Sequence, residues 1–287
     1  MSSNIERVHT DLTGQVALVT GGGRGMGRAF AQALATAGAA VAVVARSAAQ
    51  LAETVASITA TGGRAIALMG DVSDRHAVEH MTHEVERQLG PIDLLLNNAG
   101  IITPLGPVAE VDPEAWWRCQ EINVRGPFLC TRTVLPGMCH RRRGRIINVA
   151  STAGLMAFAN NSAYTLSKTA LIRLTEQVAL ETRTHGISVF AINPGPVRTA
   201  MSAYLMESVE GQQWLSWYRE RFDALEVPME RVVSLVRFLA SGHADRLTGR
   251  FLSALEDVSQ MVAQAEEIEQ GELYTLRLQT VQSRSPS

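Results

Sequence analysis

The chain is almost without lysine. Of its 26 basic residues, 25 are arginine and one is Lys168. Cysteine is also scarce: Cys119, Cys130 and Cys139, with no Cys-x-x-Cys pair. An odd, sparse set excludes a disulfide framework and a structural zinc site, and fits a reducing compartment. A large excess of either charge is missing too. A net charge of -2 and a pI near 6.4 give no basic surface for nucleic acid or an anionic membrane. No apolar run is long enough to span a bilayer. The uncharged, alanine-rich stretch Ala29 to Ala45 is interrupted by Gln32, Thr36 and Gly38. The polar segment Met1 to Asp11 is no signal peptide. The expectation is a soluble, cytoplasmic protein. No proline-rich or serine-rich linker divides the 287 residues, and no repeat is evident.

What is present is a rhythm. Short apolar runs occur at Val16 to Thr20, Ala40 to Ala45, Ala65 to Met69, Ile92 to Leu96, Arg145 to Val149 and Ile187 to Ile192, with a last at Phe251-Leu252. Between them lie stretches of helical length, such as Ser47 to Thr61 and Asp74 to Leu89. Strands that are apolar throughout, separated by helices, predict a doubly wound α/β (Rossmann) fold. Its seven-stranded, mostly parallel sheet would be covered on both faces. Residues 1–252 are read as one nucleotide-binding catalytic domain. Residues 253–287 are read as an extension packed on that domain or on a neighbouring subunit. In the extension, Val258, Met261, Val262, Ala265 and Ile268 share one stripe of a helix predicted over Glu256 to Gln270. Tyr274, Leu276 and Leu278 alternate with polar residues, as in a half-buried strand. Ser283 to Ser287 have the composition of a disordered end.

The first strand runs into Thr20-Gly21-Gly22-Gly23-Arg24-Gly25-Met26-Gly27, and a helix is predicted from Arg28. Glycines between a buried strand and a helix let the backbone turn sharply and approach a phosphate, which the helix N-terminus then attracts. The second strand ends in Ala45-Arg46-Ser47. A fold that selects NAD places an acid there for the ribose 2′-hydroxyl. Arg46 instead suits a 2′-phosphate, with Ser47 adding a hydrogen bond and Arg24 a second charge. NADP(H) is therefore expected over NAD(H).

Lys168 lies four residues after Tyr164, on the same helical face. A cation beside a phenol favours the phenolate and lowers a pKa that starts near ~10. Such a phenol can exchange a proton with a substrate oxygen.

Together these segments resemble the classical short-chain dehydrogenase/reductase family, from about Leu12 to Leu252. The motifs are the glycine loop, Asp71-Val72, Asn97-Asn98-Ala99-Gly100, Asn123 in Ile122-Asn123-Val124, Ser151, Tyr164 with Lys168, and Pro194-Gly195. The resemblance implies roles. Gly21, Gly23, Gly25, Met26 and Gly27, with Arg24 among them, are cofactor-binding residues of the loop. Asp71 and Val72 contact the adenine. Asn98, Ala99 and Gly100 pack beside the cofactor. Pro194, Gly195, Val197 and Thr199 line the nicotinamide side. Tyr164 is the proton donor or acceptor, Ser151 binds the carbonyl oxygen, Lys168 holds the ribose and lowers the Tyr164 pKa, and Asn123 positions a water. The activity implied is hydride transfer between a nicotinamide and a small-molecule ketone or secondary alcohol, in a homodimer or homotetramer. An NAD-dependent alcohol dehydrogenase is the alternative activity, and a non-catalytic nucleotide-binding relative the alternative class. Thr248 to Ala254 lacks the glycine pair that often ends the family's last strand.

Trp214, Trp217, Tyr218 and Phe222 are spaced by threes and fours, on one predicted helical stripe. Two readings stand: a seal of that helix to the body, or an aromatic wall over the substrate, to which Leu155, Met156 and Phe158 would add. The second implies a bulky, largely apolar substrate. His76, His80 and His83 share a helical face, read as solvated with no metal bound.

Overall fold

Alternation along each strand builds the molecule. β1 (Val16–Thr20) sends Ala17 and Val19 to one face and Val16 and Leu18 to the other. β2 (Ala40–Ala45) does the same with Val41 and Val43 against Ala42 and Val44. Successive side chains of a strand point to opposite faces, so a strand apolar throughout needs two cores. In the computed structural model, which describes residues 10–278, both cores are present. The first is filled by Phe30 and Leu34 of α1 (Gly25–Thr36), Leu51 and Ile58 of α2 (Ala48–Ala60), and Val232, Leu235 and Leu239 of α10 (Met229–Ala240). The second is filled by Val78, Met81 and Val85 of α3 (Arg75–Leu89), and by Leu129, Val134 and Met138 of α5 (Gly126–Arg141).

The other strands are β3 (Ala65–Met69), β4 (Leu94–Asn97), β5 (Gly144–Val149), β6 (Ile187–Asn193) and β7 (Phe251–Ser253). All pair in parallel, in the order β3-β2-β1-β4-β5-β6-β7. This is the expected doubly wound, seven-stranded sheet. The order reverses between β1 and β4, which opens a crevice at their C-terminal ends. β4 begins two residues later than expected because Asp93 is held from the side: its carboxylate accepts the Val16 N–H at 3.1 Å. A buried chain of amides ties the middle of the sheet. Asn97 donates to Asn148 at 2.8 Å, and Asn148 to Thr175 at 2.9 Å on α6 (Ser162–Glu181).

The segment after β7 differs from its expected form. One helix over Glu256 to Gln270 becomes two, α11 (Val258–Ala263) and α12 (Ala265–Gln270), broken at Gln264. Val258, Met261, Ala265 and Ile268 are nonetheless buried in the first core. The strand expected over Tyr274 to Leu278 does not form, because Glu272 and Tyr274 turn through left-handed backbone. One backbone bond remains: the Tyr274 carbonyl accepts the Phe251 N–H of the edge strand at 2.9 Å. Leu276 packs against Phe251 and Ile172, while Leu278 is exposed. Residues 1–9 of the polar segment Met1 to Asp11, and Ser283 to Ser287, lie outside the described residues.

Ile268 is 3% exposed, so truncating it opens a cavity. Ile268→Ala should cost about 3 kcal/mol, which lowers the melting temperature by roughly 5–10 °C in a chain of this size. A melt identical to that of the unaltered protein would show that the segment contributes nothing to the core.

Candidate functional site

The crevice holds a cavity of about 700 Å³. Its walls include Gly21, Gly23, Arg24, Gly25, Met26 and Gly27 of the loop after β1, Arg46 and Ser47 after β2, and Asp71 and Val72 after β3. Asn98, Ala99 and Gly100 after β4 line it together with Thr199, whereas Tyr164 and Lys168 of the expected set do not. Gly27 is obligatory in this packing, since a Cβ there would fall 2.1 Å from the Gly21 carbonyl oxygen. The loop is fixed from β4: the Thr20 hydroxyl accepts the N–H groups of Asn98 and Ala99 at 3.0 and 3.1 Å. α1 starts at Gly25 without a side-chain cap on its free N–H groups. An uncapped helix start facing a cavity suits an anion. Size, glycines and helix start together fit a dinucleotide.

Arg24 and Arg46 are exposed at the rim and form no ion pair among the described residues. Arg28, in contrast, is tied to Glu53 and the Gly23 carbonyl. Ser47 has a local task as well: its hydroxyl caps α2 by accepting the Gln50 N–H. Asp71 is held in place. One oxygen accepts the backbone N–H and hydroxyl of Ser73 at 2.9 and 2.7 Å, and the other accepts Arg118 at 2.5 Å. Burial raises its pKa, but these hydrogen bonds and the Arg118 charge outweigh burial and hold the carboxyl below its usual range.

Ser151, Tyr164 and Lys168 meet beyond Gly100. The Tyr164 hydroxyl lies near the Ser151 side chain, whose influence lowers its pKa. Lys168 is 5% exposed; its Nζ donates to the Val149 carbonyl at 2.7 Å and lies 5.4 Å from the Tyr164 ring centroid. Burial pushes the phenol up to about 12, against the lowering effect of Ser151, and pushes the ammonium down to about 8. The expected lowering of the Tyr164 pKa by Lys168 is therefore reversed. Desolvation of the phenol is the larger effect, and its neutral form is favoured.

Asn123 lies in a π-helical turn, Glu121–Arg125, that joins α4 (Pro113–Gln120) to α5. Its amide accepts the Ile101 N–H at 2.9 Å and donates to the Ile101 carbonyl and the Ser167 hydroxyl at 2.8 and 3.0 Å. A π-turn moves the side chain off the regular helical face.

The segment after β6 folds over this cluster. Thr199 caps α7 (Ala200–Glu207) with a reciprocal bond to Ser202. α8 (Val209–Trp214) and α9 (Ser216–Leu225) follow, with a break at Leu215. The four aromatics thus do not form a stripe of one helix: Trp214 ends α8, while Trp217, Tyr218 and Phe222 lie on α9. The aromatics divide between two environments. Phe222 is 1% exposed and seals α9, while Trp217 is 36% exposed and stacks on Phe158, centroids 5.8 Å apart. Ile102, Leu105, Leu205 and Leu215 form a small apolar cluster that both Tyr164 and Tyr218 pack against, beside Trp214. Leu155 is about half exposed at the edge. Pro194, Gly195 and Val197 do not line the large cavity. Gly195, with φ of +72°, lets Val227 approach.

The family model described as short chain dehydrogenase matches residues 15–210. The chain belongs to the short-chain dehydrogenase family. A short chain dehydrogenase of Pseudocercospora fijiensis is 37% identical over 91% of this chain and 86% of its own length. A 3-oxoacyl-[acyl-carrier-protein] reductase of Synechocystis is 36% identical over 82% of this chain and 92% of its own. Among solved structures, a short-chain type dehydrogenase/reductase from Mycobacterium marinum aligns with a TM-score of 0.77 at 31% identity, covering 85% of this chain and 94% of that one. Membership makes the protein an oxidoreductase that binds a nicotinamide cofactor.

Against the family's motifs, Arg118 is the residue sequence reading missed. It lies 47 positions from Asp71, and no local pattern announces the pair. His76, His80 and His83 are exposed on α3, and no group of three or more His, Cys, Asp or Glu is placed to hold a metal among the described residues. Nor is any helix among them long and apolar enough to cross a membrane.

Proposed function

We propose that this chain is an NADP(H)-dependent oxidoreductase that interconverts a bulky, largely apolar ketone and its secondary alcohol. The observation that carries this reading is the meeting of Ser151, Tyr164 and Lys168 at the end of a crevice of dinucleotide size. Gly21 to Gly27 and the start of α1 hold the pyrophosphate. Asp71, Val72, Asn98, Ala99 and Gly100 hold the adenine side and the floor, and Thr199 with Pro194, Gly195 and Val197 borders the nicotinamide. An ionised carboxylate accepts about four hydrogen bonds. Asp71 takes three from Ser73 and Arg118, so one position remains for the adenine amino group.

The bound nicotinamide supplies or accepts the hydride. Negative charge then develops on the substrate oxygen in reduction. Tyr164 and Ser151 donate to that oxygen, and Tyr164 gives up its proton. A phenol near pKa 12 is fully protonated at neutral pH and ready as an acid. Lys168, still charged at neutral pH, stabilises the phenolate as it forms. Asn123, fixed on Ile101 and Ser167, steadies the helix turn beside Lys168 and orders the proton path from solvent. Leu155, Trp214, Trp217 and Tyr218 border the substrate. The protein works in the cytoplasm, where its free cysteines stay reduced, as a homodimer or homotetramer.

NADP(H) rather than NAD(H) follows from the two unpaired arginines at the rim and the absence of an acid after β2. Arg46→Asp should weaken NADPH binding tenfold to a hundredfold, about 1.5–3 kcal/mol for a lost charge-assisted contact, and improve use of NADH. Titration of both cofactors by calorimetry checks this. Unchanged NADPH affinity would remove Arg46 from the 2′-phosphate site.

A further inference from the structure

The wall facing the reacting phenol is apolar with one exception. Ile102, Leu105, Leu205 and Leu215 are buried in it, and Tyr164 and Tyr218 pack against the same cluster. Tyr218 is clamped. Its ring meets Trp217 edge-on at 5.9 Å and Phe222 at 5.5 Å. Phe222 is fully buried, and Trp217 is stacked on Phe158. These contacts fix the direction of the ring, and the half-buried residue keeps its hydroxyl open to the cleft. Among the described residues that hydroxyl makes no hydrogen bond, although a half-buried tyrosine normally finds a partner. Burial, with Tyr164 as a second and smaller influence, pushes the phenol up to about 12, so it is a neutral donor at neutral pH.

A donor fixed in an apolar wall, without a partner in the protein, discriminates strongly between ligands. A ligand that brings an acceptor satisfies it; one that does not leaves it desolvated and unpaired. We infer that Tyr218 is a specificity residue that hydrogen-bonds a second oxygen of the substrate, so that the preferred ketones carry a hydroxyl, carbonyl or ether oxygen away from the reacting carbonyl. The inference rests on the ketone-reductase reading of the same site. It narrows that reading from apolar ketones in general to those with two oxygens.

The test compares 1-tetralone with its four ring-hydroxylated isomers, which move a hydroxyl stepwise around a rigid apolar frame. The unaltered protein and Tyr218→Phe are assayed in two ways: turnover with NADPH, and calorimetric binding with NADP+ present. The expected result is that one isomer exceeds the parent about tenfold in kcat/KM and in affinity. Tyr218→Phe should abolish that preference and keep the melting temperature. Preference in binding that is lost in the variant supports Tyr218 even where turnover is nil, and in that case only the reductase reading fails. Turnover without preference, or a preference that survives in Tyr218→Phe, overturns the role of Tyr218 and leaves the reductase reading standing. No binding of any of the five ketones overturns both.

Discussion

Tyr164→Phe is expected to fold, bind cofactor and lose turnover by about a thousandfold. General acid catalysis by a positioned side chain contributes roughly 10²–10⁴ in rate. Tyr164 is the phenol beside Ser151, while Tyr218 packs against the same apolar cluster without Ser151 among its influences. The Tyr164 ring itself packs against Ile102, Leu105, Leu205 and Leu215, and phenylalanine preserves that packing. Stability should therefore change little, and the Ser151 hydroxyl is left to stabilise charge on the substrate oxygen alone. A thermal melt and NADPH titration, beside kcat, separate loss of chemistry from loss of structure. Turnover within a factor of ten of the unaltered protein would mean that Tyr164 is not the acid.

Lys168→Arg should cost about a hundredfold in kcat although the charge is retained. The ammonium sits in a small buried space, on the Val149 carbonyl and about 3.7 Å from where a side chain on Gly100 would begin. A guanidinium is larger, planar and fixed in its donor directions. Placing it there forces a displacement of about 1 Å, and a shift of that size at a reacting centre costs on the order of a hundredfold. Overpacking of this kind also costs about 1–3 kcal/mol of stability, so the melt should fall by a few degrees without loss of the fold. The pH profile gives a second readout. The Lys168 pKa is pushed down to about 8 by burial, so its charge is present below pH 8 and lost above it. The phenol stays protonated through this range. In the unaltered protein kcat for reduction should fall as pH rises through about 8. In Lys168→Arg that fall should vanish, because guanidinium does not titrate. Unaltered kcat in the variant, or a flat profile in the unaltered protein, would mean that the charge and shape of Lys168 do not matter.

Much of this was legible in the sequence because the signals are local. All seven strands end within one residue of the apolar runs that announce them, since a parallel sheet with two cores demands apolar side chains on both faces. The glycine loop, Asn98 to Gly100, Ser151 and the Tyr164–Lys168 pair sit at strand ends or on one helical face, where spacing alone fixes direction. Three features were not legible. The aromatic spacing from Trp214 to Phe222 imitates one helix, but Leu215 leaves helical backbone (φ -135°, ψ 38°) and starts a second. The alternation from Tyr274 to Leu278 imitates a strand, but left-handed turns at Glu272 and Tyr274 limit it to a single bond with β7. The direction of the Tyr164 pKa depends on how deeply the fold buries the phenol, which no spacing reports. Arg118 beside Asp71 needed the folded chain for the same reason: the contact is between elements, not along one.

The account stands on hydride transfer to a ketone from NADPH, with Tyr164 as acid. Its most direct test is NADPH carrying two deuterium atoms at C4 of the nicotinamide, incubated with hydroxylated tetralones and analysed by mass spectrometry and NMR. The expected product is an alcohol with deuterium on the carbinol carbon, formed by the unaltered protein, about a thousandfold more slowly by Tyr164→Phe, and poorly when deuterated NADH replaces NADPH. Alcohol without deuterium on that carbon, or labelled alcohol formed equally well by Tyr164→Phe, would contradict it.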